Sequence, residues 1–244
     1  MRKIINLFLC CLFFLTNNAF AEKYNLIILT TEFVAESKFK KLVEVAKESP
    51  VQVDYRYVEN LDAEKEFLTR ADFVILDAPR SEDQTKVDSL VHVELAAARA
   101  PIIQINRFDM VQPLQYRNIS AEHAHALHKY YVSGMDNNRK NMLEYIGCYL
   151  SGGNVDQVEK PRPLPEKGIY HPAAQDGVFT SLEEYLVWWE SRGESWQGRP
   201  VIAMETTSSY ISDAQTAHLD AVIQAIEDNQ GLPVVFYPGV GSIT

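Results

Sequence analysis

Three histidines and a glutamate lie close together in one predicted helix, and such imidazole and carboxylate groups bind zinc, copper or haem iron. The residues are Glu122, His123, His125 and His128. On a helix, His125 and His128 are i, i+3 neighbours, Glu122 stands on the same side, and His123 points elsewhere. The spacing matches no established zinc signature. We therefore regard Glu122, His125 and His128 as metal candidates, with a solvated helix face as the favoured alternative.

A second polar site is Tyr170-His171, which stands directly before Pro172. The dipeptide follows a proline-rich stretch and precedes the tryptophan pair Trp188-Trp189. A histidine fixed beside a rigid proline could face a cleft between two structural units and exchange a proton near neutral pH. The alternative, which the residues alone favour, is that His171 only caps the connecting segment.

Motifs of the common enzyme classes do not occur in the sequence. It contains neither a Gly-x-Ser-x-Gly nucleophile turn nor a His-Glu-x-x-His zinc motif. Gly239-Val240-Gly241-Ser242 follows a predicted strand, as a phosphate-binding turn would, but a third glycine and a helix are missing, so an ordinary strand-to-helix turn is favoured. The spacing of residues alone therefore leaves the catalytic residues unknown.

The composition is that of an ordinary globular protein. The 244 residues are 46% hydrophobic and 23% charged, which excludes a disordered chain, a collagen and a coiled coil. The 23 basic and 33 acidic residues give a net charge of −10. A field of that sign does not attract a phosphate backbone, so we expect no nucleic-acid partner.

The first 21 residues have the pattern of a secretory signal peptide. Arg2 and Lys3 precede an apolar run from Ile4 to Leu15, and Ala19-Phe20-Ala21 supplies small residues at a cleavage site. The apolar run is shorter than the roughly 20 residues of a spanning helix. We therefore predict a signal peptide at 1–21, a periplasmic mature protein and membrane contact only during export. Cleavage would remove two basic residues, leaving 21 against 33 acidic ones and a charge of −12.

Strands alternate with helices in the next part of the chain, residues 22–150. Leu26 to Leu29 and Phe73 to Leu76 are continuous apolar runs typical of buried parallel strands, whereas Val51 to Val58 alternates, as in an edge or half-buried strand. This order predicts an α/β fold with a parallel, doubly wound sheet. The predicted strands are 26–29, 51–58, 73–76 and 101–105, and the predicted helices are 39–46, 63–68, 87–98, 121–131 and 137–150.

A second α/β unit begins near residue 199. Residues 151–198 are predicted to be a proline-rich connector with one helix, which starts at the capping box formed by Ser181 and Glu184. A strand at 200–204, a helix at 216–228 and a strand at 232–237 follow. Because two strands rarely form a stable sheet alone, we expect residues 199–244 to be an incomplete domain and the chain to be an N-terminal fragment.

The stretch from Asn138 to Gly239 resembles the large subunit of cobaltochelatase (CobN), in the family shared with the magnesium chelatase large subunit. Its most specific element is Gly168-Ile169-Tyr170-His171-Pro172, followed by Ser181-Leu182-Glu183-Glu184-Tyr185-Leu186. Other matching stretches are Asn138-Arg139-Lys140-Asn141-Met142-Leu143, Tyr149-Leu150-Ser151-Gly152-Gly153, Arg199-Pro200-Val201-Ile202-Ala203-Met204 and Leu232-Pro233-Val234-Val235-Phe236. About 100 residues are covered, and the preceding unit fits the family's N-terminal region more loosely.

The resemblance implies that the protein inserts a divalent metal (cobalt, magnesium or iron) into a corrin or porphyrin, or removes it, as with iron from haem. Tyr170, His171 and Tyr210 are the implied tetrapyrrole-binding candidates. The metal is a substrate, and ATP enters only through partner chelatase subunits, if at all, because ATP is not available outside the cytoplasmic membrane. The first hypothesis is thus an exported CobN-like chelatase large subunit. The alternatives are a non-catalytic periplasmic protein that binds a tetrapyrrole or metal complex, and a non-functional remnant.

Overall fold

The structure is a computed structural model that describes residues 23–61, 66–105, 113–175 and 177–239. The predicted signal peptide at 1–21 lies outside the described residues, as do most of the Gly239–Ser242 turn and the first part of the predicted helix at 63–68. The described part of that predicted helix, residues 66–68, lies in a 3-10 helix, Glu66–Arg70.

Five strands form the first sheet, in the order β2-β1-β3-β4-β5. The first four are parallel and correspond to the four predicted strands, and β2 lies at the edge, as its alternating pattern predicts. The antiparallel strand β5 was not predicted because two residues carry no periodicity. The strands are β1 (Tyr24–Thr30), β2 (Val51–Tyr57), β3 (Phe73–Asp77), β4 (Ile102–Ile105) and β5 (Tyr116–Arg117).

Helices cover both faces of this sheet, which confirms the doubly wound α/β unit. On one face of the sheet, buried side chains such as Leu26 and Ile28 pack in a single core with three helices. On the opposite face, Ile27 and Leu29 pack in a second core with the helix at Ser81–Ala97. This alternation follows from the two-residue repeat of a strand. The helices are α1 (Glu36–Val45), α3 (Ala121–Ser133) and α4 (Asp136–Leu150) on the first face, and α2 (Ser81–Ala97) on the second.

A second sheet of four strands follows, in the order β7-β6-β9-β8. The predicted strand, helix and strand correspond to β8, α7 and β9, and the two strands are parallel. Two further short strands, β6 and β7, add antiparallel pairs from the segment predicted to be connector. The elements are β6 (Gly168–Tyr170), β7 (Val178–Phe179), α5 (Leu182–Ser191), β8 (Val201–Glu205), α6 (Ser208–Ser212), α7 (Ala217–Asp228) and β9 (Leu232–Tyr237).

Glycine is required where β6 enters this sheet. A Cβ atom at Gly168 would lie 2.7 Å from both the Tyr237 hydroxyl and a Val178 methyl, closer than real contacts allow.

The second sheet has a core on each face. On one face the core contains Tyr170, and on the other it contains Trp189 of α5. Helix α5 begins at Ser181, as predicted: its side chain accepts a hydrogen bond from the Glu184 amide.

Candidate functional site

A groove of about 650 Å³ lies between the two sheets. One wall is the outer face of α1 together with the start of α4, the second is the proline connector, and the third is the loop and helix region around Tyr170. The lining includes Lys40, Lys41, Glu44, Met135 to Arg139, Arg162, Pro163, Pro165, Tyr170, Pro172, Ile211, Thr216 and Asp220. We call this site the interunit groove.

The connector wall is fixed by one asparagine. The Asn138 side chain donates a hydrogen bond to the Arg162 carbonyl at 2.7 Å and accepts one from the Arg162 amide at 3.0 Å. Two such bonds to one residue hold the connector beside α4, as a neighbouring strand would be held. The prolines at 163 and 165 then extend along the groove, because their fixed φ angles keep the chain from folding back.

The corner between α3 and α4 contacts α6 of the second unit. Gly134 has a φ of 61°, and a Cβ atom there would overlap the backbone carbonyl of Ser212. The buried Arg139 guanidinium donates a hydrogen bond to that same carbonyl at 2.8 Å and pairs with Asp136 at 3.0 Å. Close backbone approach and a charge-assisted hydrogen bond thus join the two units at the end of the groove.

A buried ion pair lies beneath this contact. Lys38 is 3% exposed, and its ammonium group lies 2.7 Å from Asp77 and 3.5 Å from Asp213 of the second unit. The Tyr131 hydroxyl donates a second hydrogen bond to Asp77, also at 2.7 Å. Asp77 is the last residue of β3, the strand beside β1. The strand order reverses between β1 and β3, and open α/β sheets commonly bind ligands at the carboxyl ends of two such strands. Here, that position is occupied by the junction between the two units.

Tyr170 lines the interunit groove. Its hydroxyl donates a hydrogen bond to Asp220 at 2.6 Å, and Thr216 donates another to the same carboxylate at 3.1 Å. Burial and the hydrogen bond to Asp220 raise the pKa of Tyr170. The tyrosine therefore stays a neutral hydrogen-bonding group at the groove and does not act as a base near neutral pH.

His171 lies on the opposite side of β6 and is not part of the groove lining. The side chain is 1% exposed and packs against Trp188 with ring centroids 4.6 Å apart. Its Nδ1 accepts a hydrogen bond from the Ala173 amide, and its Nε2 lies 3.4 Å from Glu227. His171 directly follows β6 and contacts Tyr185 and Trp189 in the core on one face of the sheet, whereas Tyr170 lies in the core on the other face, so the two side chains do not face one cleft.

We expect His171 to make stability depend on pH. Burial holds the pKa of His171 below its ordinary value; Glu227 opposes this shift, and Arg192 adds to it. Below about pH 6.5 the unfolded chain binds a proton that the folded chain does not, so stability falls as the pH falls, by at most about 1.4 kcal/mol per pH unit. Chemical unfolding at several pH values should show a smaller slope for His171→Gln.

Two controls accompany this measurement. Burial and the nearby His125 also lower the pKa of His128, so His128→Gln should remove a separate share of the slope. Gln52→Ala, at an exposed position on β2 without a titratable group, should leave the slope unchanged. An unaltered slope in His171→Gln would show that this imidazole is not held neutral in the folded chain.

Neither Tyr210 nor the histidines of α3 are among the residues that line the interunit groove. Tyr210 is 38% exposed on α6, and its ring contacts His218 edge-on at 4.9 Å. On α3, the His125 Nδ1 lies 2.6 Å from the Ala121 carbonyl, while His128 is half-buried and Glu122 is exposed. Nowhere in the described ranges do three or more His, Cys, Asp or Glu side chains come together as a metal site, so Glu122, His125 and His128 do not form such a group.

Several groove residues were not singled out as site candidates from the sequence, above all Lys41, Arg162 and Asp220. They come from three separate segments that meet only through packing of the two units. The one available signal was the family resemblance, whose first matching stretch includes Asn138 and Arg139. Among the described residues, no helix is long and apolar enough to span a membrane.

Comparisons with known proteins point to one family. Residues 128–242 match the family model described as CobN/Magnesium Chelatase. This stretch begins within α3 and includes the connector and the whole second sheet, and thus two walls of the interunit groove. The chain carries a CobN/magnesium chelatase family region. The predicted resemblance is thereby confirmed.

Individual relatives agree with this CobN-like assignment. The chain is 30% identical over 115 residues to a magnesium-chelatase subunit of Cereibacter sphaeroides, a match that covers 44% of this chain and 8% of that protein. It is 26% identical over 100 residues to an uncharacterized protein of Methanocaldococcus jannaschii, a match that covers 41% of this chain and 8% of that protein. The chain thus spans less than a tenth of the length of these curated relatives.

A solved structure extends the likeness to the N-terminal sheet. The "Catalytic Subunit of Cobaltochelatase from Mycobacterium tuberculosis" superposes with a TM-score of 0.54 over 88% of this chain and 16% of that one, at 15% sequence identity. This likeness concerns the fold. The fold of this chain, in both of its α/β units, is thus similar to that of the cobaltochelatase subunit.

Proposed function

We propose that this chain is the N-terminal part of an exported, periplasmic CobN-like chelatase large subunit, and that its interunit groove binds part of a tetrapyrrole. The observation that carries the proposal is that the family region supplies two walls of the groove, the connector and the Tyr170 region. In the proposed reaction a divalent ion (cobalt, magnesium or iron) enters a corrin or porphyrin, or leaves it.

The groove has the size and lining that such a ligand needs. Its volume of about 650 Å³ lies within the usual range of small-molecule sites, roughly 300–1,000 Å³. Pro163, Pro165 and Ile211 offer apolar surface for a flat ring. Lys41, which pairs with Asp136 at 3.1 Å, and Arg162, which pairs with Glu159, lie at the same groove and are partly solvent-exposed. Each can exchange its present partner for a carboxylate at the edge of the ring.

The residues of this chain would hold and orient the macrocycle. Insertion of a divalent ion into a porphyrin displaces two protons from the pyrrole nitrogens, and removal of the ion consumes two protons. Tyr170, held by Asp220, offers a neutral polar group to a bound ring edge. Partner chelatase subunits would supply ATP-driven steps where ATP is present, and a periplasmic protein would have to work without them.

A non-catalytic tetrapyrrole- or metal-complex-binding protein is the second candidate. It is supported by the lining of the groove, which offers apolar surface and charged side chains to a ligand. The two candidates share the same groove and differ only in turnover.

Porphyrin titration tests the proposal. We expect a shifted Soret band when the purified protein is titrated with a porphyrin that carries carboxylate side chains. The double variant Lys41→Ala/Arg162→Ala should bind about tenfold more weakly, because two charge contacts are lost. Arg56→Ala, an exposed arginine on β2 away from the groove, is the matched control.

A porphyrin without carboxylates separates charge recognition from loss of fold, since both proteins should bind it equally. Incubation with Co²⁺, Mg²⁺ or Fe²⁺ then distinguishes the candidates: metalloporphyrin formation supports a chelatase, and binding without turnover supports a binding protein. An unchanged Soret band at all protein concentrations would refute a tetrapyrrole site in this chain.

A further inference from the structure

A turn that directly follows β6, residues 172–175, forms part of the wall of the interunit groove. Pro172, Ala174 and Gln175 of this turn line the groove, as does Gly177. Pro172, Ala173 and Gln175 are exposed, so burial of apolar surface contributes little to the position of the turn. Its place at the groove therefore depends on hydrogen bonds.

His171 makes several of these hydrogen bonds. Its backbone amide donates to the Gly177 carbonyl at 3.0 Å, and its carbonyl accepts from the Ala174 amide at 3.2 Å. Its side chain adds a third, because Nδ1 accepts from the Ala173 amide, also at 3.2 Å. An Asn or Asp side chain that accepts from the amide two residues on forms an Asx turn, and the imidazole takes that role here. The buried ring thus fastens an exposed turn to the core of the second sheet.

The hydrogen bond from Ala173 determines which ring nitrogen carries the hydrogen. Nδ1 is the acceptor, so in the neutral ring the hydrogen is on Nε2, which lies 3.4 Å from Glu227. A protonated imidazole is a donor at both nitrogens. The new Nδ1 hydrogen would then point at the Ala173 N–H, and two donors repel each other. The turn can keep its present form only around the neutral ring.

Charged and titratable groups of two helices surround the ring. Burial lowers the pKa of His171, Glu227 and Asp220 of α7 raise it, and Arg192, which follows α5, lowers it. Arg192 also pairs with Glu227 at 2.6 Å, so that carboxylate is shared between two partners. Tyr185 of α5, with its ring centroid 6.2 Å from that of His171, stays neutral because burial raises its pKa. The ring is therefore neutral near pH 7 and takes up a proton only as the pH falls.

We propose that His171 is a positioning residue of the interunit groove: its neutral imidazole holds the turn at residues 172–175 in the form that binds the ligand, and protonation of the ring releases the turn. This inference rests on the proposed function of the groove. Ligand binding should then weaken at acid pH although His171 does not touch the ligand. Tyr170 and His171 thus serve one site from two sides, Tyr170 at the groove and His171 behind its wall.

Amide exchange measured by NMR on the ligand-free protein tests the turn independently of the proposed function. The amides of Ala174 and Gly177 are suitable probes because their acceptors are backbone carbonyls, which do not titrate. We expect their protection factors to fall about threefold or more from about pH 7.5 to about pH 5. His171→Asn offers a carbonyl oxygen to the Ala173 amide at every pH, so its protection factors should stay constant. His171→Gln carries its amide one bond further out and should leave the turn poorly protected throughout.

Binding of a metalloporphyrin without carboxylates, which does not itself titrate in this range, tests the effect on the groove. The dissociation constant should rise about threefold or more from about pH 7.5 to about pH 5, whereas that of His171→Asn should stay level. His171→Gln should bind about threefold more weakly than His171→Asn near neutral pH. His128→Gln, at a half-buried position of α3 outside the groove lining, is the control and should keep the pH profile of the unaltered protein.

Glu227→Gln gives a second test that leaves the imidazole and the turn in place. It removes the carboxylate nearest to Nε2, so the acid midpoint of binding should move to lower pH. This result decides the matter should His171→Asn not fold, which circular dichroism reports. Protection factors that do not change with pH, or a binding profile that neither His171→Asn flattens nor Glu227→Gln shifts, would overturn the role of His171. Absence of porphyrin binding at every pH would instead refute the proposed function, and the protection factors would still decide whether His171 holds the turn.

Discussion

Asp77→Ala is expected to lower the free energy of unfolding by about 3–5 kcal/mol, the usual penalty for removing one partner of a buried ion pair. The substitution removes the nearer carboxylate from the buried Lys38 ammonium and the hydrogen bond that the Tyr131 hydroxyl donates to Asp77. Chemical denaturation of the purified protein measures the effect. Because Lys38 also contacts Asp213 of the second unit, the loss should extend to the junction between the sheets.

Two comparisons make this expectation specific. Arg56→Ala breaks the exposed Arg56–Asp54 pair and should change stability by less than about 1 kcal/mol. Lys38→Met/Asp77→Asn removes both charges and should cost less than the sum of the two single changes, since neither charge is then left alone. An Asp77→Ala protein as stable as Arg56→Ala would mean that Lys38 and Asp77 are not paired in a dry site.

Gly134→Ala is expected to lower the free energy of unfolding by about 3 kcal/mol or more, because strain and overlap act together. The residue has a φ of 61° and a ψ of −141°, a conformation that a side chain resists. A Cβ atom would also overlap the Ser212 backbone. The corner between α3 and α4 would be forced away from α6, so porphyrin binding should weaken as well.

Gly152→Ala is the matched control. Gly152 has a φ of 72°, but no atom lies within 4 Å of a Cβ placed there. Gly152→Ala should therefore lower the free energy of unfolding only by the cost of placing alanine in a left-handed backbone conformation, about 1–2 kcal/mol. Equal losses for Gly134→Ala and Gly152→Ala, measured by thermal and chemical unfolding, would indicate that the contact between Gly134 and Ser212 contributes nothing to the junction.

The sequence was most informative where an element depends on its own residues. The apolar runs of β1 and β3 predicted buried strands, which their burial confirms. The alternation in β2 predicted an edge or half-buried strand, and β2 lies at the edge of the sheet. The capping box at Ser181 predicted the start of α5 correctly. The short strands β6 and β7 could not be predicted, because they are fixed by pairing with β9 and with each other.

The groove was less accessible to such reasoning because it is formed by contacts between distant segments. Lys41, Arg162 and Asp220 are unremarkable in sequence and meet only when the units pack. Tyr170 and His171 were selected together from one stretch, yet they face opposite sides of β6, which becomes clear only once the stretch is known to be a strand. Their binding roles, and that of Tyr210, remain predictions.

Ring-current shifts in NMR spectra test the central claim most directly, because a bound macrocycle strongly shifts the resonances of nuclei above and below its plane. With a carboxylated porphyrin added, we expect the largest shifts at Tyr170, Ile211 and Thr216, which line the interunit groove, and little change at His125 or His171. Binding with shifts confined to the exposed face around His125, or no shifts at all, would contradict the proposal that the groove holds a tetrapyrrole.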